Sequence, residues 1–200
     1  MEIPKVKLPK EVNYAEAYLT FRCQLGCSYC INKAGEFEPR NELDGQTWID
    51  VLNRIDFGDV PITLGGGEPT LHPDFYQIVN GIKKETRVDL LTNASFDIDE
   101  FIEKAGKRFE RDAYFATDLQ AAAYRKVRVS FHPEKHDPND LVSKVRKLQD
   151  ANVSIGIFGI SHPKHSTDNM LMSELARQNG VYFFIKDFLG EFNGQMYGTF

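Results

Sequence analysis

The chain has 200 residues, 42% apolar and 26% charged, the make-up of an ordinary globular domain with a sizeable core. With 24 Lys and Arg against 29 Asp and Glu, its formal charge is −5 and no long basic block occurs, which argues against a phosphate-neutralising surface for nucleic acid. No apolar run reaches membrane-spanning length and the opening MEIPKVKLPK lacks a secretory apolar core, so the expectation is a cytoplasmic protein with no membrane partner.

In chain order, a first strand is expected over 15–22, rich in apolar and aromatic residues. It runs into FRCQLGCSYC, residues 21–30, which holds all three cysteines. Asp44 can cap a helix whose stripe is Trp48, Val51, Leu52 and Ile55. A second strand over 61–64 ends in the run GGGEPTLHP, residues 65–73. Pro73 suits the first turn of a helix carrying Phe75, Ile78, Val79 and Ile82. A third strand over 88–91 precedes a helix begun by Asp97, with Ile98, Phe101, Ile102 and Ala105 on one face. Residues 107–124 read as a loop with room for a short helix. A fourth strand over 126–131 leads to Asp137 and Pro138, which open a helix carrying Leu141, Val142, Val145 and Leu148. A fifth strand over 153–158 precedes a helix begun by Ser166 or Thr167 and closed by Asn179 and Gly180. A sixth strand spans 181–185.

Strands alternating with helices imply a parallel sheet with right-handed crossovers, built as one domain over 1–200. A sixth helix is expected after the last strand, yet 188–200 shows no helical pattern. That leaves room for truncation at the C-terminus relative to a natural length.

Three cysteines within eight residues cannot form a closed disulfide framework, since one must stay unpaired. Clustered thiols in a cytoplasmic chain point to metal or redox chemistry. Thiolates suit iron–sulfur clusters, zinc and copper(I). Spaced C-x3-C-x2-C, Cys23, Cys27 and Cys30 can wrap one face of a cubane cluster. No fourth cysteine exists to close the last iron. A structural zinc site remains the alternative, and it would need a histidine such as His72 or His132 as fourth ligand.

The glycine run offers two explanations: a ligand that approaches the backbone where a side chain would block it, or tight packing of the chain on itself. Like the cysteines, it falls at the C-terminal end of a strand, where parallel α/β folds place their sites. CQLGCSYC followed by GGGEPTLHP, in this order and each after a strand, resembles the radical S-adenosylmethionine (SAM) family. The alternation of strands and helices extends the likeness over essentially the whole chain.

The resemblance implies a partial (βα)6 barrel of TIM type, its parallel sheet open on one side. It implies a 4Fe-4S cluster held by Cys23, Cys27 and Cys30, with SAM chelating the fourth iron through its amino nitrogen and carboxylate oxygen. Reductive cleavage of SAM to a 5′-deoxyadenosyl radical, followed by hydrogen abstraction from a substrate, is the implied activity. An electron donor such as flavodoxin or ferredoxin and a small-molecule or peptide substrate are the implied partners. Tyr29 takes the position that packs beside adenine. Gly66, Gly67 and Glu68 match the segment that receives the SAM amino group, largely through backbone. Thr92, Asn93 and Ser130 stand where SAM is often contacted, and Ile157 and Gly159 where backbone commonly borders adenine.

Substrate-site candidates come from strand patterning. His132 shares a face with Ser130, two residues on, and Lys186 is the only charged residue in 181–186, on an otherwise apolar strand. The reading from another functional class is a non-catalytic zinc-binding interaction module, which would leave GGGEP and the six-unit pattern without a purpose.

Overall fold

In a computed structural model, residues 5–30, 42–111 and 125–198 are described. Ten strands occur among them: β1 (Val6–Lys7), β2 (Ala15–Thr20), β3 (Ile55–Asp56), β4 (Ile62–Gly66), β5 (Val88–Thr92), β6 (Val127–Ser130), β7 (Ile155–Ile160), β8 (Phe183–Lys186), β9 (Gly190–Phe192) and β10 (Gln195–Tyr197). The five α-helices are α1 (Gly45–Arg54), α2 (Phe75–Gly81), α3 (Ile98–Ala105), α4 (Pro138–Asp150) and α5 (Ser166–Gln178).

Six strands pair in parallel in the order β2-β4-β5-β6-β7-β8, each next to its successor. The two end strands do not pair with each other, so the sheet is a partial barrel open on one side, as the resemblance implied.

One strand face carries Leu64, Leu90, Val127, Val129, Ile155 and Ile157, all fully buried. These join Phe75, Ile78, Val79, Phe101, Leu141, Val145 and Leu148 of the helices in a single core. By the two-residue period, Glu16, Asp89, Arg128, Ser130 and Phe158 then share the opposite, inner face. Burial of one apolar stripe per helix, at ~25 cal/mol per Å², is what holds the helical layer to the sheet.

Helix starts follow the side chains expected of them. Asp44, Asp97 and Asp137 accept hydrogen bonds from the backbone N–H of Thr47, Glu100 and Asp140. Gly180, at φ +65°, turns the chain just after α5.

Two expectations need correction. The buried face of α1 is Gly45, Ile49 and Leu52, whereas Val51 is 39% exposed. Ile55 leaves the helix for β3, where it pairs with Val6 of β1, and the stripe rotates accordingly. After β8 the chain forms the antiparallel hairpin β9–β10 instead of a sixth helix. Of the expected loop 107–124, a 3-10 turn over Gly106–Phe109 is seen, and 112–124 lie outside the described residues. Among the described residues no helix is long and apolar enough to cross a membrane.

Candidate functional site

At the C-terminal ends of the parallel strands lies a cavity of about 860 Å³. Cys23, Cys27, Cys30, Tyr29, Gly66, Gly67, Thr92, Asn93, Ser130 and His132 all line it. Ten residues drawn from four separate strand ends therefore meet in one space. A smaller depression, lined by Val142, Arg146 and Leu175, lies on α4 and α5 away from these motifs.

The cysteine loop rests on the glycine turn. Gly67 N donates to Thr20 O (2.8 Å) and Glu68 N to Arg22 O (2.7 Å). Pairing of β2 with β4 shifts register between Tyr18 and Thr20, which tips the end of β2 onto the turn. Gly66 sits at φ +124°, and a Cβ there would collide with Thr20 O; one on Gly67 would meet Phe21 O at 2.6 Å. Glycine is required because the chain itself approaches so closely, which decides between the two explanations offered by the sequence. The two glycines still border the cavity on their other side.

Glu68 lies behind the cavity wall, fully buried. Its carboxylate accepts from Thr70 Oγ1 (2.6 Å), Thr92 Oγ1 (2.8 Å) and Asn93 N (2.6 Å), bonding the ends of β4 and β5 together. Burial raises its pKa, while the bonds from Asn93, Thr70 and Thr92 act the other way. Asn93 Nδ2 in turn reaches Cys23 Sγ at 3.7 Å. Arg22, just before the first cysteine, pairs with Glu42 at 2.7 Å.

The thiols are free and half-buried. Burial pushes Cys27 up to about 11, and the neighbouring Cys23 and Cys30 add to the push. Three cysteine sulfurs facing one space are soft donors of the kind that suit iron–sulfur clusters and zinc. Among the described residues no three His, Cys, Asp or Glu could hold one metal ion together. His72 is unavailable as a fourth zinc ligand: Nε2 is 2.9 Å from Leu43 O, and Nδ1 accepts from Asp74 N.

Tyr29 projects into a wall of imidazoles, its ring centroid 6.0, 5.3 and 5.5 Å from those of His132, His162 and His165. Its hydroxyl is 3.3 Å from His132 Nδ1. Burial, with help from the neighbouring His136, lowers His132 to about 4, so the ring is neutral at physiological pH.

Four sequence candidates are not among the lining residues. Glu68 is one. Ile157 belongs to the core, and a Cβ on Gly159 would run into the Asn169 side chain of α5; Ile160 borders the cavity in their place. Lys186 lies over the Phe158 ring, 5.4 Å from its centroid. Burial and the nearby Arg128 lower its pKa, and Glu16 raises it. Its charge thus meets neighbours within the barrel. Residues that the motifs did not reveal include Glu16, Leu91, Phe188 and Leu189. Glu16 carries a usable signal, a single charge inside the strand AEAYLT, the same signal that drew attention to Lys186.

Comparison with known proteins adds an independent line. The profile of the Radical SAM superfamily matches residues 18–173. A mycofactocin maturase MftC of Mycolicibacterium smegmatis is 36% identical over 126 residues, covering 62% of this chain and 28% of that protein. A PqqA peptide cyclase of Methylorubrum extorquens is 47% identical over 64 residues, 31% of this chain and 16% of that one. The crystal structure of Streptococcus suis SuiB bound to S-adenosylmethionine matches with a TM-score of 0.67 at 14% identity, covering 93% of this chain and 43% of SuiB. The chain thus spans less than half the length of these relatives.

Proposed function

The chain belongs to the radical SAM superfamily, and from that premise we propose that its cavity holds SAM against a 4Fe-4S cluster ligated by Cys23, Cys27 and Cys30 and acts on a peptide. The observation that carries this reading is convergence. Three thiols, the glycine turn and the ends of β5 and β6 open into one space large enough for a cofactor-sized ligand. When bound, the cluster supplies one-electron chemistry on the sulfonium of SAM, using an electron from a donor of flavodoxin or ferredoxin type.

The chain's own residues do the holding. The thiolates anchor the irons, and Asn93 donates toward the Cys23 sulfur, a bond of the kind that tunes cluster potential. The backbone of Gly66 and Gly67 borders the place for the SAM amino group, with Thr92 and Ser130 beside it. Tyr29, fixed by its imidazole neighbours, offers an aromatic surface to adenine. His132, neutral and facing the cavity, can orient substrate as either donor or acceptor. Leu91, Ile160 and Phe188 exclude water from the reacting centre. The peptide assignment rests on the likeness to the PqqA peptide cyclase, over the share of the chain that it covers.

Anaerobic reconstitution tests the reading. The wild-type chain is expected to take up iron and sulfide, and to form 5′-deoxyadenosine once reduced with SAM. Cys23→Ala, Cys27→Ala and Cys30→Ala are each expected to abolish that product. Near wild-type iron, sulfide and product in any one of the three would overturn the cluster assignment.

A further inference from the structure

We infer that Glu134 is the positioning residue of the cysteine loop, its carboxylate tying the segment between Cys27 and Tyr29 to the loops that follow β6 and β7. Glu134 stands in the turn after β6 and belongs to neither sequence motif. Its two oxygens divide the work. Oε2 accepts from Ser28 N at 3.1 Å and Oε1 from Ser28 Oγ at 2.7 Å. Oε1 also accepts from Lys164 Nζ at 3.0 Å and lies 3.6 Å from His165 Nε2, whose ring is held from behind by Asp168 Oδ2 at 2.9 Å from Nδ1. One carboxylate thereby joins three loops.

Geometry accounts for the choice of residue. Ser28 follows Cys27 directly and stands inside the Cys27–Cys30 turn, which is closed by Cys30 N donating to Cys27 O at 3.2 Å. Grasping both the N–H and the hydroxyl of Ser28 fixes the peptide between two thiols, which a single bond would leave free to rotate. Glutamine could offer one oxygen, and its NH2 would face the ammonium of Lys164. Aspartate is one methylene shorter. The Glu134 side chain is 17% exposed, so water competes weakly for these bonds. The bonds from Ser28, with Lys164 behind them, hold the carboxyl down at about 2, so it stays ionised throughout the range in which the protein would work. Tyr29, next in sequence, is gripped by imidazoles from the same two loops. Adjacent residues of the cysteine loop are thus clamped from one side.

The consequence for a cluster rests on the function proposed above, so the test has one arm without a cluster and one with it. In the apoprotein, thiol alkylation by iodoacetamide is expected to be severalfold faster at Cys27 and Cys30 in Glu134→Ala than in wild type, with the far-ultraviolet spectrum unchanged. Ser28→Ala, which keeps the N–H and loses the hydroxyl, should give a smaller increase. Combining it with Glu134→Ala should add nothing, because both act through one tie. Glu134→Gln should recover part of the protection. After reconstitution, Glu134→Ala is expected to load less iron and sulfide and to show an altered electron paramagnetic resonance signal from the reduced cluster. Wild-type alkylation rates in Glu134→Ala, or additive effects of the two substitutions, overturn the inference. A wild-type chain that takes up no cluster overturns the function proposed above and leaves the alkylation result to decide this one.

Discussion

Asp89 and Arg128 face each other across the inner surface of β5 and β6, with Arg128 Nη2 3.5 Å from Asp89 Oδ2 and 2.9 Å from Thr63 Oγ1. The pair is long for an ion pair, and Asp89 is 2% exposed. Burial therefore wins over the pull of Arg128, Lys126 and Arg87 and raises the carboxyl to about 7. A folded-state pKa above the unfolded value of 3.8 means that the folded chain binds the extra proton between the two. The stabilisation due to that proton is full below the unfolded pKa and is lost as pH rises through the folded one. Asp89→Asn removes this dependence. In urea titrations of the apoprotein, the variant's stability relative to wild type is expected to rise from pH 5 to 7 and to level off above. A constant difference across that range would refute the raised pKa.

The end of β2 and the end of β4 act as one element. Because a Cβ on Gly67 meets the Phe21 carbonyl, Gly67→Val should push the β2 end away from the turn and carry Cys23 with it. Cluster content and SAM affinity are then expected to fall together, measured as iron per chain and by calorimetry. Loss of SAM affinity with full cluster content would mean that the glycine serves the ligand alone. The GGGEP run was legible in the sequence as a close approach, but what approaches was not, since that depends on a register shift in the neighbouring strand. The six strands were legible because each is a short apolar run between helix signals. The inner face was harder to read: Ser130 and His132 showed by period two, while Glu134 stands in the turn beyond them, where no period applies. The Ile157 side chain shares with Val129 the face turned to the helices, and on β7 it is Ile160 that borders the cavity.

For the whole molecule, stability should be graded across the sheet. β5, β6 and β7 have partners on both sides and buried faces, whereas β8 is an edge strand whose last three residues are exposed. Hydrogen exchange is expected to be slowest in the central strands and fastest in β8, with β2 between them because Arg22 and Gly67 tie its end down. Uniform protection across all six strands would contradict this grading. The tie between Ser28 and Glu134 spans 106 residues of sequence. At a synthesis rate of ~5–20 residues per second, that separation is about 5–20 s of translation. Throughout this interval all three thiols have already been made, and the carboxylate that steadies them does not yet exist. Iron and sulfide delivered to the growing chain would therefore meet a loop that has its ties to the glycine turn but not yet its tie to Glu134, and cluster insertion is expected to be favoured once the β6 and β7 loops have closed.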